Sequence, residues 1–394
     1  MSHIVSFKIT GLAGRNEPLE VELNRDTNIF FGLNGSGKTS ILKILHSAMD
    51  NKTDNLKSVP FESAVVKIYS LEKKGIIVRS IEKCDLQVFN KSKRNVKNKD
   101  ISNESLLPDT SYFKEMNWIS IPNTIEGGAN ARWAHKYLPT SRLQISEDDP
   151  YSSYLDSTMN NGMQLTENQL DTFFARAVEN LWRRYSAKIL GAARIAQEQG
   201  LASILKAVLS PINSKKKKIH TKLTTETAYE RIKSFLNRQG SSTILGKYPD
   251  FEKLYLNNPT LQNIVQDIDK VEQDIKSAMS ARDILQQLIT QMFTANKNIS
   301  FTDEYIKVIS SSGESIGLAS LSSGEKNMLR ILVEVLLAEA NSFIIDEPEI
   351  SLHIDWQKNL IKSLRALNSD AQFIFATHSP EILADIPDDK IFRI

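Results

Sequence analysis

Alternating apolar and polar residues near the N-terminus predict β-strands. The runs IVSFKIT, LEVEL and NIFF are rich in β-branched and aromatic residues, and each is bounded by turn residues. Within residues 64–79, AVVKIYSL and IIVRS flank a turn-like Glu-Lys-Lys-Gly sequence, which predicts a β-hairpin. Strand-like sequence returns in ISFTDEYIKVIS, from residue 299 onward. Sheet-forming sequence therefore lies on both sides of the middle of the chain.

The middle of the chain has helical spacing instead. From about residue 160 apolar residues recur every three or four positions, and no proline occurs until Pro211. A second run with this spacing covers residues 261–292. These two runs predict an antiparallel helical hairpin, with the four lysines at residues 215–218 near its turn.

The C-terminal part alternates helices with continuous apolar strands, FIID and FIFA, which is typical of a parallel sheet covered on both faces. The predicted fold class is therefore α/β, with one domain built from both ends of the chain and a helical arm inserted between them. We place the N-terminal lobe at residues 1–150, the arm at residues 151–300 and the C-terminal lobe at residues 301–394.

Composition indicates a folded protein of ordinary type. The 394 residues are 41% hydrophobic and 24% charged, and the single cysteine, Cys84, excludes an internal disulfide. We find neither a secretory leader nor an apolar run of about 18 residues. These features predict a cytoplasmic protein that does not span a membrane.

The net charge of +2 hides an uneven distribution. Residues 181–240 contain thirteen Lys and Arg against three Glu, which gives this segment a net charge of +10. A basic segment can bind the phosphates of DNA or RNA, contact an acidic protein or simply face solvent. The sequence leaves these three interpretations open.

The clearest chemical motif is Gly-Leu-Asn-Gly-Ser-Gly-Lys-Thr at residues 32–39, between the strand NIFF and a helix. This pattern cradles phosphates with its backbone N–H groups, while Lys38 reaches the β- and γ-phosphates and the Thr39 hydroxyl contacts Mg²⁺. It predicts ATP and Mg²⁺ as cofactors. The predicted nucleotide-binding residues of this loop are Asn34, Gly35, Ser36, Gly37, Lys38, Thr39 and Ser40.

Two carboxylates end the apolar strand FIID. Strand alternation points Asp346 and Glu347 in different directions. We therefore assign Asp346 to the magnesium shell and Glu347 to the role of general base.

Two further elements carry candidate groups for anion binding. Residues 321–325, Leu-Ser-Ser-Gly-Glu, open a helix whose N-terminus can bind an anion, with Ser322, Ser323 and Gly324 as the contacting residues. His378 follows the strand FIFA, where a parallel sheet places its ligand groups.

In order and context, these elements resemble the ABC-type ATPases of the SMC, RecF and OLD kind. By this resemblance residues 32–39 are the Walker A motif, LSSGE the signature, FIIDEPE the Walker B motif and His378 the switch histidine. Ser322 lies 284 residues after Lys38, a spacing similar to that of family members with an inserted helical arm. The resemblance covers residues 1–50 and 301–394 well, and the signature departs from the common LSGGQ at Ser323 and Glu325.

The family implies a head-to-tail homodimer. Each ATP lies between the Walker A motif of one chain and the signature of the other, with Lys38, Glu347 and His378 as catalytic residues. It also implies a Q-loop glutamine near the metal, for which Gln144 is our candidate. Arg15 is either a nucleotide contact or a surface residue.

Within the family, the segments EPEISLH and FATHSPEIL most resemble the corresponding segments of the stand-alone ATPases of prokaryotic anti-phage defence systems, such as those of Septu and PARIS. OLD nucleases continue into a Toprim domain, whereas this chain stops sixteen residues after His378. We therefore expect a separately encoded effector, such as a nuclease or toxin. Two alternatives stay open, a RecF-like repair ATPase that binds DNA through the basic segment, and the ATPase part of a truncated OLD-type nuclease.

Overall fold

A computed structural model of the chain describes most of its residues. The described residues are 2–83, 117–120, 132–140, 166–209, 224–238, 245–293, 297–338 and 341–394.

An antiparallel sheet is formed by the N-terminal part of the chain. Its strands follow the order β2-β1-β4-β5-β6. The predicted hairpin is confirmed, since Ser63 pairs with Glu82 and Ser70 with Gly75. The strands are β1 (His3–Thr10), β2 (Leu19–Glu22), β4 (Ser63–Ser70), β5 (Gly75–Glu82) and β6 (Ile119–Ser120).

A second sheet is entirely parallel and combines strands from both ends of the chain. Its order is β13-β3-β12-β11-β7. All five residues of β11 and all six of β12 are buried, as their continuous apolar sequences require in a sheet covered on both faces. The strands are β3 (Thr27–Phe31), β7 (His135–Leu138), β11 (Ser342–Asp346), β12 (Gln372–Thr377) and β13 (Ile391–Arg393).

The two sheets share one hydrophobic core around helix α1 (Lys38–Asp50). Ile41, Leu42 and Leu45 on α1 pack with residues of both sheets, such as Phe7 of β1 and Ile344 of β11. Burial of this helix between the sheets fixes where α1 begins, and therefore where the loop before it lies.

The chain folds into two compact units. The first comprises residues 1–178 and 317–394 and contains both of these sheets. It also contains helices α6 (Ser323–Leu337) and α7 (Ile354–Leu367). The α/β class predicted from the sequence is confirmed.

The second unit comprises residues 179–316. It has a small sheet of order β10-β9-β8 and a cluster of helices, in which Ile232, Phe251, Tyr255 and Val265 are buried together. This cluster differs from the simple two-helix hairpin that the sequence predicts, because two short helices lie between the long ones. Residues 215–218 lie outside the described residues. The elements are α2 (Glu167–Leu209), which begins in the first unit, α3 (Thr225–Arg238), α4 (Tyr248–Asn257), α5 (Pro259–Met292), β8 (Lys297–Phe301), β9 (Ile306–Ser310) and β10 (Ser315–Ile316).

No helix among the described residues has the length and apolarity needed to cross a membrane.

A pair of histidines lies between α1 and β7. Nδ1 of His46 is 2.6 Å from Nε2 of His135, and the His46 ring stacks on Tyr137 with 4.8 Å between centroids. Burial lowers the pKa of His46 from its ordinary 6.5 to about 4, and repulsion from His135 adds to this effect. Burial lowers the pKa of His135 as well.

This pair predicts a loss of stability in acid. A group whose folded pKa lies below its unfolded pKa contributes stability that is fully present above pH 6.5 and is lost as the pH falls toward 4. We expect protonation of His46 to lower the free energy of unfolding by up to about 3 kcal/mol over that window. Urea unfolding across this range should show a shallower pH dependence for His46→Gln than for wild type. His353→Gln, at an exposed histidine, should keep the wild-type slope, and equal slopes for all three proteins would contradict the prediction.

Candidate functional site

The candidate site lies at the carboxyl edge of the parallel sheet. Strands β3, β12, β11 and β7 are parallel neighbours, so the residues that follow them meet at one edge. The glycine-rich loop follows β3, Glu347 follows β11, and His378 follows β12. Thr140 comes two residues after β7. Sheet topology alone therefore assembles groups from distant parts of the sequence.

The glycine-rich loop has the backbone conformation that its glycines permit. Gly35 and Gly37 have φ angles of 83° and 98°, in the left-handed region that favours glycine. Gly37 is also the N-cap of α1, so the helix begins directly at the loop. The Ser36 hydroxyl is buried and has no hydrogen-bond partner among the described residues. A glycine-rich turn that leads into a helix N-terminus and carries an unsatisfied hydroxyl fits a phosphate group.

Lys38 extends back over this loop. Its Nζ donates to the carbonyl oxygens of Gly32 and Leu33, each at 2.9 Å. The same atom lies 3.8 Å from Oε1 of Glu347. Lys38 is only 4% exposed, so its charge is held at the centre of the site.

Thr39 and Asp346 are in direct contact although they are 307 residues apart. The Thr39 hydroxyl donates to the Asp346 carboxylate, with distances of 2.9 and 3.1 Å to its two oxygens. The Thr140 hydroxyl donates to Oδ2 of Asp346 at 2.9 Å. Two hydroxyls therefore converge on one buried carboxylate.

The environment of Asp346 suits a divalent cation. Burial raises the pKa of Asp346, and hydrogen bonds from Thr39 and Thr140 oppose that rise. A buried carboxylate with adjacent hydroxyl oxygens is the hard oxygen donor set that Mg²⁺ prefers, and the positive charge of such an ion would offset the cost of burying the anion.

Glu347 points to the other side of the turn. Its backbone N–H donates to the Ala376 carbonyl at 2.8 Å, and its φ of 48° lies in the left-handed region. Non-glycine residues with such angles are strained, and they occur often at functional sites. This turn, rather than strand alternation, separates the Glu347 side chain from that of Asp346, because β11 ends at Asp346. Oε2 of Glu347 is 2.5 Å from Nδ1 of His378.

The start of helix α6 is closed by a capping box. The Ser322 side chain accepts from the Glu325 N–H at 3.3 Å, and Glu325 accepts from the Ser322 N–H at 2.6 Å. Gly324 packs so closely on the Ser351 carbonyl that a Cβ has no room. Asn327 donates to the carbonyls of Pro348 and Ile350, at 3.2 and 3.1 Å. The start of α6 is therefore fixed to the turn after β11.

The structure brings five of the predicted site residues together: Lys38, Thr39, Asp346, Glu347 and His378. None of the hydrogen bonds and ion pairs of the described residues joins Ser322, Ser323 or Gly324 to residues 32–40, and Gly324 packs on Ser351 instead.

Three further candidates have different outcomes. Gln144 lies outside the described residues. Ser40 is half-buried in the first turn of α1. Nη2 of Arg15 lies 3.3 Å from the Ser36 carbonyl, which places this half-buried arginine on the glycine-rich loop.

Sequence reasoning missed two residues of the site. Thr140 contacts Asp346, and the only signal for it was its position just after the strand sequence HKYL. Glu349 is 5% exposed and contacts the segment that carries His378. Its signal was the third carboxylate in Asp-Glu-Pro-Glu.

Taken together, the parallel sheet, the glycine-rich loop before α1 and the acidic pair after β11 define a P-loop ATPase. The family model described as an AAA ATPase domain, AAA_15, matches residues 3–383, and the chain belongs to this family. The prediction that the chain is an ATPase is therefore confirmed, as is its nucleotide-binding character.

Among curated proteins, the chain is similar to the retron Vc95 probable ATPase of Vibrio cholerae serotype O1 biovar El Tor. The two are 20% identical over 93% of this chain and 68% of that protein. A shorter match, 30% identical, covers 22% of this chain and 18% of the retron Ec83 probable ATPase of Escherichia coli. Another match at 30% covers 24% of this chain and 17% of the endonuclease GajA of Bacillus cereus (strain VD045). The chain therefore spans about two thirds of the first of these relatives and less than a fifth of the other two.

Among solved structures, the chain is similar to the Smc head domain with an extended coiled coil derived from Pyrococcus furiosus. The TM-score is 0.41 at 13% identity, over 98% of this chain and 92% of that one. The Smc head domain from Thermotoga maritima gives a TM-score of 0.39 at 11% identity, over 97% and 91% of the two chains.

Proposed function

We propose that the chain binds ATP and Mg²⁺ at the glycine-rich loop, hydrolyses ATP with Glu347 as general base, and does so as a head-to-tail homodimer. The contact between Thr39 and Asp346 carries this proposal, because it unites the phosphate loop with the acidic pair in one chain. Thr39 and Asp346 would hold the metal ion, which when bound neutralises negative charge on the phosphates.

Each remaining group has one task in hydrolysis. Loop N–H groups and Lys38 bind the phosphates and stabilise the charge that develops on the transferred group. Glu347 orients a water and takes its proton, while the water oxygen bonds to the γ-phosphorus and the bond to the bridging oxygen breaks. His378, whose Nδ1 contacts Glu347, would orient that carboxylate and sense the γ-phosphate. ADP and phosphate leave.

The dimer completes the site. Among the described residues, no hydrogen bond or ion pair joins Ser322, Ser323 or Gly324 to residues 32–40 of their own chain, and we propose that they contact the γ-phosphate bound to a second copy. Binding of ATP would then drive association, and hydrolysis would release it.

A complementation assay tests this head-to-tail arrangement. Lys38→Ala and Ser322→Arg should each abolish hydrolysis when assayed alone. In an equal mixture, a heterodimer has one site with both lesions and one intact site. Because half of the dimers are then mixed, we expect recovery of about a quarter of wild-type activity. No recovery, with both variants folded, would show that each chain works with its own α6. A mixture of Lys38→Ala with Lys38→Met is the matched control and should stay inactive.

At the level of the cell, we propose that this cytoplasmic ATPase regulates or scaffolds a separately encoded effector, such as a nuclease or toxin, in anti-phage defence. The resemblance to defence-system ATPases supports this role, and so does the similarity to the two retron probable ATPases. Co-expression of the chain with the product of the adjacent gene, followed by co-purification with and without ATP, tests it. If the two proteins fail to co-purify both with and without ATP, the result would count against the scaffold role.

A second candidate function is DNA binding in repair. Arg183, Arg184 and Lys188 on α2 are exposed, opposite the buried Trp182 and Ile189, so this part of the basic segment presents charge on one helix face. If duplex DNA is the ligand, its affinity should fall steeply with salt and increase with ATP. A duplex titration at several salt concentrations distinguishes the two functions, and an absence of ATP-dependent binding favours the scaffold.

A further inference from the structure

A third carboxylate lies beside the proposed base and the switch histidine. Glu349 comes three residues after the end of β11 and is 5% exposed. The ligand-type atoms of Glu347, Glu349 and His378 all lie within 4.8 Å of one another. The roles assigned above to ATP, Mg²⁺ and the general base leave this buried carboxyl group without a task.

One oxygen of Glu349 holds the segment after β12. Oε1 accepts from the Thr377 hydroxyl and also from the His378 backbone N–H, at 3.2 Å for the latter. The Thr377 hydroxyl in turn accepts from the Ser379 N–H at 2.9 Å. A single carboxylate oxygen therefore joins the turn after β11 to the backbone that carries the His378 ring.

The other oxygen of Glu349 is costly to bury. Oε2 has no hydrogen-bond partner among the described residues, and burial raises the pKa of Glu349 to about 7, with Glu347 adding to the rise against the hydrogen bond from Thr377. Buried polar atoms in native proteins are nearly always satisfied, so an exception needs a reason. An apolar residue in this place would avoid the cost but would leave the Thr377 hydroxyl and the His378 N–H without their acceptor.

We propose that Glu349 is a positioning residue for ATP hydrolysis, which fixes the Thr377 to Ser379 segment so that Nδ1 of His378 meets Oε2 of Glu347. The inference rests on the proposed function, in which Glu347 activates water. With the His378 ring on one carboxylate oxygen and Lys38 near the other, Glu347 has one orientation. Loss of the hydrogen bonds from Thr377 and His378 to Glu349 should misplace the general base while leaving the phosphate loop intact.

Two substitutions of Glu349 distinguish a positioning role from direct proton transfer by this residue. Glu349→Gln keeps an oxygen that can accept from both Thr377 and His378, but it cannot act as a base. We expect Glu349→Gln to keep kcat within about fivefold of wild type, because the acceptor remains. Glu349→Ala should lower kcat about 30-fold or more, because small misplacements of catalytic groups have large effects. KM for ATP should change little in both.

A second pair of variants changes the donor of the hydrogen bond between Thr377 and Glu349. Thr377→Val removes the hydroxyl and should lower kcat as Glu349→Ala does. Thr377→Ser retains the hydroxyl and should keep kcat near the wild-type value. Glu17→Gln, at an exposed glutamate, is the control for surface charge and should behave as wild type. This pair keeps the inference testable if Glu349→Ala fails to fold.

A readout without ATP separates this inference from the proposed function. In protein labelled with ¹⁵N-histidine, the His378 ring resonances are assigned with His378→Ala. Both Glu349 variants remove the carboxylate charge 3.6 Å from Nδ1 of His378, so the resonances should shift further in Glu349→Ala, which also loses the acceptor, than in Glu349→Gln. Thr377→Val should shift them without a change of charge, and Thr377→Ser should keep their wild-type positions. The inference is overturned if those resonances stay unchanged in Glu349→Ala, or if Glu349→Gln loses as much kcat as Glu349→Ala. Normal hydrolysis by Glu347→Gln would instead remove the proposed role of Glu347 and leave the spectroscopic result standing.

Discussion

Replacing Lys38 with alanine should weaken ATP binding by at least about 100-fold, and hydrolysis should become undetectable, since hydrogen bonds to charged groups are among the strongest in proteins. Lys38 is 4% exposed and lies between two loop carbonyls and Glu347, so its ammonium is already oriented toward the loop. Isothermal titration calorimetry with ATP and Mg²⁺ measures the loss directly.

Two controls make this result specific. Lys38→Met keeps most of the packing volume without the charge and should bind ATP as weakly as Lys38→Ala. Lys57→Ala removes a lysine whose side chain is 65% exposed and pairs with Asp54 on the surface, so this variant should bind ATP normally. If Lys38→Met binds like wild type, the loop does not hold phosphates through this lysine.

Replacing Glu347 with glutamine should leave ATP binding intact and stop hydrolysis, in contrast to the loss of binding expected for Lys38→Ala. The amide keeps the size of the side chain and can still contact His378, so ATP binding should be retained. It cannot accept the proton of the attacking water, so kcat should fall on the order of 100-fold or more, as expected for loss of a general base. Single-turnover hydrolysis and ATP titration on the same preparation separate the two effects.

The same variant should reveal the dimer. Because ATP is bound and not consumed, Glu347→Gln should sediment as a dimer with ATP and as a monomer without it. Combining it with Ser322→Arg should restore the monomer in the presence of ATP. Near-normal hydrolysis by Glu347→Gln would remove Glu347 from its assigned role.

Much of the fold could be predicted because its signals are local. NIFF, FIID and FIFA are continuous apolar runs, and each became a buried parallel strand. The glycine-rich loop stands between such a strand and an amphipathic helix, so both its structure and its place at the sheet edge follow from sequence. The proximity of Thr39 and Asp346 then follows from the topology of a parallel sheet.

What could not be predicted depends on contacts between distant segments. Thr140 and Glu349 are ordinary polar residues until the fold places a carboxylate beside the first and a backbone segment beside the second. The short helix α3 is a different case, because its signal is local: Ala228, Ile232, Phe235 and Leu236 recur every three or four residues and pack in one cluster, yet the prediction of two long helices left it out.

Gly324 lies in close contact with the Ser351 carbonyl, so the start of α6 cannot move closer to the loop that leads to α7. Asn327 bridges the same loop through two carbonyl oxygens. A shift of the first turn of α6 would therefore also move the turn that carries Glu347 and Glu349. If that first turn contacts ATP on a second copy, as proposed above, dimer formation would adjust the position of the proposed general base, which would couple association of the two chains to their rate of hydrolysis.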